Sequence, residues 1–235
     1  MKWTHQSIQN NILKILQKRG MKYHIYLHTF NLKELTCRRS QETKVKLDEH
    51  EWKLLQPDAV QIDSQEDFDR SMDYNVIMTH GDPWFTEGEN VRNLCRQLYS
   101  CQSAFHMIRQ PYQCYLFLRP DMKYTALDTS SVWEIIHDQK SKVIYMPNQG
   151  RMNNVSDRFY FGNEMTMQMV APRLDKLLEY ATKKPPHSET FLGDLIHQSQ
   201  IVVRSLDMKA VRVRANGLHS QADIDCLEKQ RDVIF

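Results

Sequence analysis

Glycine is scarce, with seven residues in 235, and none falls in a GxGxxG or GxxxxGK[ST] pattern. A dinucleotide-binding Rossmann enzyme and a P-loop kinase both lack their phosphate cradle here. No GxSxG elbow occurs, and the ten histidines show no HExxH or HxH spacing. That argues against a serine hydrolase and a zinc enzyme. The five cysteines form no CxxC pair, and Cys95, Cys101 and Cys114 stand in otherwise apolar settings, so a reduced, cytoplasmic chain is expected. Charge of one sign is lacking too: 31 Lys and Arg face 29 acids for a net +2. There is no broad basic field for nucleic acid. The first twenty residues mix Gln, Asn and Lys into their apolar positions and no other run is long enough, so neither a signal peptide nor a transmembrane segment is expected.

What is present suits one α/β domain over residues 1–235, because no composition shift divides the chain and its length can bury a real core. Ile8, Ile12 and Leu16 lie four apart, which predicts a helix over residues 7–19 stopped by Gly20. Residues 23–27 read as a strand ending at the polar pair His28-Thr29. Val60 and Ile62 alternate in a short strand over residues 58–63, and a helix follows over residues 65–72. Asn90 is the expected cap of a long helix with the stripe Val91, Leu94, Cys95, Leu98, Phe105 and Ile108. Its other face stacks Arg92, Arg96, Ser100 and Ser103, with Asn93 and Gln97 alongside. That face is either solvated or turned to a ligand.

Later elements are less regular. A strand over residues 142–146 closes in Pro147-Asn148-Gln149-Gly150, and an Asn-rich loop leads to Asp157. Residues 165–183 read as a helix started or kinked by Pro172. Ser188 is expected to cap another, with Glu189 in its first turn and Phe191, Leu192, Leu195 and Ile196 buried. Strands over residues 201–205 and 210–214 close the domain, the second with Val211 and Val213 inward and Arg212 and Arg214 outward.

The sharpest feature is Tyr115-Leu116-Phe117-Leu118-Arg119-Pro120-Asp121. A fully apolar run stops at an arginine, a proline without an amide donor, and a carboxylate. Arg119 and Asp121 are therefore expected at the carboxyl end of a central strand, the edge where open α/β sheets bind ligands. The alternative is a strand-ending turn with two solvated charges. With His28, Thr29, Asp157, His187, Glu189 and the arginine face of the long helix, these groups suit transfer from a phosphorylated donor. A cation neutralises the leaving group while a separate carboxylate takes the attacking hydroxyl's proton.

Six segments in order carry a resemblance: residues 23–30 (YHIYLHTF), 92–100 (RNLCRQLYS), 118–121 (LRPD), 157–162 (DRFYFG), 187–192 (HSETFL) and 212–217 (RVRANG). Together they resemble short GT-A-like glycosyltransferases of large algal DNA viruses and their microbial homologues. The resemblance implies a Rossmann-like mixed central sheet flanked by helices. It implies a nucleotide-sugar donor, often a UDP-sugar, a glycan or glycoprotein acceptor, and Mn²⁺ or Mg²⁺. For a viral chain the location would be the host cytoplasm. By the same resemblance Asp121 matches the last acid of the metal motif, and His187 serves metal or phosphate. It also puts Asp157 or Glu189 on the acceptor side as the catalytic acid, while the strand-end groups His28, Thr29 and Arg119 and the helix face with Arg92, Asn93 and Arg96, read from the residues themselves, are the expected donor ligands.

Two departures accompany it. Arg119 stands where many members carry an acid, which points to a reduced metal requirement. The base-binding first strand normally precedes the first helix, and Met1-Lys2-Trp3-Thr4 is too short to supply it. A chain shortened at its start, or one with weakened donor affinity, is expected. Asp157 is the favoured base, because a neighbouring Phe159-Tyr160-Phe161 run would raise its pKa by desolvation. A carboxylate acting in line would invert the anomeric centre. The rivals are a non-catalytic nucleotide- or carbohydrate-binding domain and a metal-dependent phosphoesterase, in which water replaces the sugar hydroxyl.

Overall fold

The computed structural model describes residues 1–38, 40–149, 152 and 155–231. Gly150, Asn153 and Asn154, which belong to the expected turn and Asn-rich loop, lie outside the described residues. The chain begins with one long helical segment, α1 (His5–Ile8) and α2 (Lys14–Lys18) joined by a π-helical stretch at Gln9–Leu13. Strand β1 (Tyr26–Phe30) follows, then the hairpin β2 (Glu34–Cys37) and β3 (Glu42–Lys46), and β4 (Ala59–Asp63). Helices α3 (Gln65–Ser71), α4 (Tyr74–Ile77) and α5 (Glu89–His106) lead to strands β5 (Tyr115–Phe117) and β6 (Met122–Tyr124) and helix α6 (Thr129–His137). Then come β7 (Val143–Pro147), β8 (Tyr160–Gly162), α7 (Glu164–Val170), α8 (Leu177–Ala181), α9 (Ser188–Gln198), β9 (Val202–Leu206), β10 (Ala210–Arg212) and α10 (Gln221–Arg231).

The fold is mixed α/β, with several small sheets. The largest orders its strands β5-β8-β7-β9, with β8 antiparallel to β5 and β7 and with β7 parallel to β9. β1 pairs in parallel with β4, β2 with β3, and β6 with β10. Successive side chains of a strand alternate between faces, and both faces of the main sheet are covered. Val143 and Tyr145 join a core with Ile8, Ile12 and Leu16, whereas Ile144 and Met146 join another with Val170, Leu192 and Ile196. A third core places Val91, Leu94 and Leu98 of α5 against Phe68, Leu177 and Phe191. Residues apolar on both faces are what a doubly covered sheet requires.

Several expectations need correction. The first strand lies three residues later than predicted, so His28 and Thr29 are inside it rather than at its end. Gly88, with φ +79°, caps α5 in place of Asn90, which is buried in the first turn. A side chain at Gly88 would also collide with Met78, whose sulfur would stand 2.6 Å from the new carbon. Pro172 breaks its helix into α7 and α8 with a 3₁₀ turn at Arg173–Lys176 between them. Ser188 opens α9 while His187 takes the cap position. Arg212 does not point outward: its side chain is 19% exposed and lies beside Asp223 of α10.

Candidate active site

A cavity of about 1120 Å³ is lined by β1, by β5 and by the segment that follows β5. Its charged lining includes Arg119, Asp121, Asp157, Glu189, Arg212 and Arg214, with His187, Ser188 and Trp84 also on its wall. Arg119 and Asp121 do follow the carboxyl end of a strand, as Pro120 dictates, but β5 is an edge strand of its sheet and not the central strand expected, and of its three residues only Tyr115 is buried. They are not two solvated charges, nor are they independent. Arg119 Nε donates to Asp121 Oδ1 at 3.0 Å and Nη2 to Oδ2 at 2.8 Å. Burial alone would push the Asp121 pKa up, but the Arg119 charge and fork, with Arg212 nearby, hold it at about 2. The side chain retains 38% exposure, which is toward the cavity.

Asp157 precedes β8, and its Oδ2 accepts from Gln97 Nε2 of α5 at 3.2 Å. Gln97 Oε1 in turn accepts from Arg119 Nη1 at 3.4 Å, so one amide connects the acid to the arginine. Burial works against the Asp157 charge, yet Arg119, Ser188, Gln97 and Arg173 together lower its pKa. The expected rise at Asp157 is therefore wrong in sign, because aromatic desolvation is outweighed by cations. Arg173 is fully buried behind it, donating Nη1 to the Tyr160 hydroxyl and the Val170 carbonyl, each at 2.9 Å.

Glu189 behaves in the opposite way. Burial and the neighbouring Asp157 charge raise its pKa, against a Ser188 hydroxyl that donates to Glu189 Oε2 at 2.6 Å. Its other neighbour is His187, whose Nδ1 stands 3.3 Å from the same oxygen but out of line for a hydrogen bond. The His187 ring stacks on Trp84 at 4.9 Å. Trp84 is fixed by a loop wound around Asp82, whose carboxylate accepts from the amides of Trp84, Thr86 and Gly88.

The expected donor ligands divide. Asn93 and His28 line the main cavity, as does Thr29. The His28 ring is fully buried, with Nδ1 at 2.9 Å from Ser100 Oγ and Nε2 at 3.2 Å from Asp63 Oδ2. Both nitrogens are engaged by the protein, and burial lowers its pKa. Arg96 and Arg92 line a second cavity of about 560 Å³. Arg96 forks onto Asp69, Nε to Oδ1 at 3.0 Å and Nη2 to Oδ2 at 2.5 Å, and Arg92 lies 5.3 Å over the Tyr74 ring. The helix face thus divides: its two arginines turn to Asp69 and Tyr74, while Asn93, Gln97 and Ser100 line the main cavity.

Asp121 and His187, the expected metal ligands, are not brought into one set. Both Asp121 oxygens are taken by a cation already, and among the described residues no three His, Cys, Asp or Glu side chains gather to hold a metal. Asp121 and His187 are thus not joined into one donor set among the described residues.

Three contributors escape a sequence reading. Gln97 looks like any polar residue beside a helix stripe. Arg212 and Arg214 share a strand parity that suggests solvent, but Asp223 turns Arg212 inward, accepting its amide at 2.9 Å and binding Arg158 Nη1 at 2.6 Å. Burial and the Arg119 charge lower the Arg212 pKa to about 10. Arg214 is half-buried and makes no side-chain hydrogen bond or ion pair to any described residue. No protein family, curated protein or solved structure matches the chain.

Proposed function

We propose that the chain is a glycosyltransferase that moves a sugar from a nucleotide-sugar donor, such as a UDP-sugar, to a hydroxyl of a glycan or glycoprotein. The observation that carries this reading is the pair Asp157 and Glu189, two carboxylates in one cleft whose proton affinities are pushed in opposite directions. Such separation assigns acid–base roles. In this reading the donor diphosphate lies toward Arg119, Arg212 and Arg214. Asp157 stays ionised and faces the positive charge that grows at the anomeric carbon. Glu189 takes the proton from the acceptor hydroxyl as that oxygen bonds to the anomeric carbon, and the bond to phosphate breaks with its electron pair leaving on the diphosphate. The arginines supply the positive charge, and no step runs through a metal.

A cytoplasmic setting, the host's for a viral chain, belongs to the same proposal and is supported by five free cysteines. No helix among the described residues is long and apolar enough to cross a membrane. The rival is a non-catalytic nucleotide- or carbohydrate-binding domain, favoured by one observation: Asp121, the acid at the strand end, is closed onto Arg119. A panel of nucleotide sugars decides between them. A bound donor raises the thermal midpoint by mass action, and transfer releases nucleoside diphosphate only when a glycan acceptor is present. Stabilisation without release in the presence of acceptors favours the binding domain, and release without acceptor favours a hydrolase.

A further inference from the structure

β1 and β5 both line the main cavity, and no backbone hydrogen bond joins them: among the described residues β1 pairs with β4 alone, and β5 with β8 alone. They nonetheless share a core and a cavity. Leu27 of β1 and Leu116 of β5 pack into the same core as Ile12 and Leu16 of the first helix, while α5 lines the cavity from the other side with Ala104 and Phe105. The two strands also run the same way. Their starts are clasped by side chains, the Tyr26 and Tyr112 hydroxyls at 2.8 Å and the Tyr112 hydroxyl at 2.9 Å from His24 Nδ1. At the far end α5 again reaches both, through Ser100 to His28 and through Gln97 to Arg119. The cavity between them touches every residue from 21 to 32 and from 111 to 121.

The slot therefore has the apolar face of the first helix on one side, Ala104 and Phe105 of α5 beside the polar Gln97 and Ser100 on the other, and two strand edges that pair with no further described strand. An acyl chain would fill the apolar part and leave two rows of amides and carbonyls unmet in a dry place, which is costly. Water would meet those rows and leave the apolar walls wet. Only a polypeptide in extended form satisfies both, since it offers donors and acceptors on its two edges and side chains on its two faces.

We propose that this slot binds an extended apolar peptide strand, parallel to β1 and β5, which pairs with both and joins the two sheets into the continuous order β4-β1-peptide-β5-β8-β7-β9. Both faces of such a strand are covered, so its side chains are apolar throughout and not alternating. About five residues, the length of β1, reach from the tyrosine clasp to the cleft at Arg119. The inference is independent of the transferase reading, because the peptide is recognised by backbone edges and not by the charged cleft.

Hydrogen exchange tests it. The probe is a peptide of five Val and Ile residues flanked by lysines for solubility, added to the full chain, and the control is the same peptide with N-methyl groups on alternate amides. The parent peptide is expected to slow exchange at residues 26–30 and 115–118 at least tenfold and to raise the thermal midpoint, while the methylated peptide does neither. Absence of protection at those two edges overturns the proposal. Equal protection by the methylated peptide or by decanoate also overturns it, since either result would mean that the slot takes any apolar filler. Nucleotide-sugar turnover is not measured, so failure here leaves the transferase reading to its own test.

Discussion

Arg119 grips Asp121 with two parallel hydrogen bonds across Pro120, so the strand-end acid is neutralised by the residue two positions before it. A bidentate fork of this kind fixes both side chains in direction as well as charge. It also makes Asp121 a poor ligand for anything else.

The first prediction concerns that fork. The Asp121 pKa is held at about 2, below its unfolded value, so its contribution to stability is present above the ordinary carboxylate range and is lost as pH falls toward 2. Asp121→Asn is expected to flatten the acid limb of the urea midpoint between pH about 4 and about 2. It should also leave nucleotide affinity equal or stronger, because Arg119 is released. Calorimetry showing lost nucleotide binding would return Asp121 to the ligand.

Glu189 has the opposite linkage. Its raised pKa means that stability is present below the unfolded value and lost as pH rises through the folded one, so the ionised side chain is a burden at neutral pH. Glu189→Gln should therefore raise the neutral-pH melting temperature while lowering turnover by roughly two to four orders of magnitude. Asp157→Asn should lower turnover too, but with a loss of stability, since its charge is favoured by Arg119 and Gln97. Normal turnover in Glu189→Gln alongside a dead Asp157→Asn would exchange the two roles.

Arg96 is expected to act on stability alone. Replacing it with Lys keeps the charge but breaks the two-pronged contact with Asp69, at a cost of about 1–3 kcal/mol. Urea titration measures the loss, and nucleotide affinity should match the parent. Arg214→Gln should do the reverse, weakening nucleotide binding with an unchanged urea midpoint, because no described residue depends on that guanidinium.

Asp223 is 1% exposed and holds Arg158 and Arg212 together. Removing one partner of a buried ion pair costs about 3–5 kcal/mol. Asp223→Asn is therefore expected to lower the urea midpoint strongly and to weaken nucleotide binding through a misplaced Arg212. A variant with parent stability would show that the two arginines are solvated without it.

Much of this was readable from residue order. The spacing of Ile8, Ile12 and Leu16 located the first helix, and all three are buried. Phe191, Leu192, Leu195 and Ile196 did the same for α9. Pro120 correctly placed Arg119 and Asp121 beyond a strand end. The hairpin β2–β3 was missed because residues 31–56 are charge-rich and lack strict alternation. Its buried anchor is Glu42, which accepts the Ala215 amide at 2.7 Å from the far end of the chain. Pairings across such distances leave no local mark: nothing near Arg96 announces Asp69, and nothing near Arg212 announces Asp223. The sign of the Asp157 shift was likewise decided by Arg119 and Arg173, neither of which is its sequence neighbour.

The anchoring of Arg158 and Arg212 on α10 also sets an order of events during synthesis. Residue 157 leaves the ribosome long before residue 223, so an emerging chain presents its cleft acids while Arg158 and Arg212 still lack the carboxylate that positions them. Contacts between distant segments form late and slowly. The charge balance of the cleft is accordingly completed only once α10 has been made, because the carboxylate that holds both arginines comes from it.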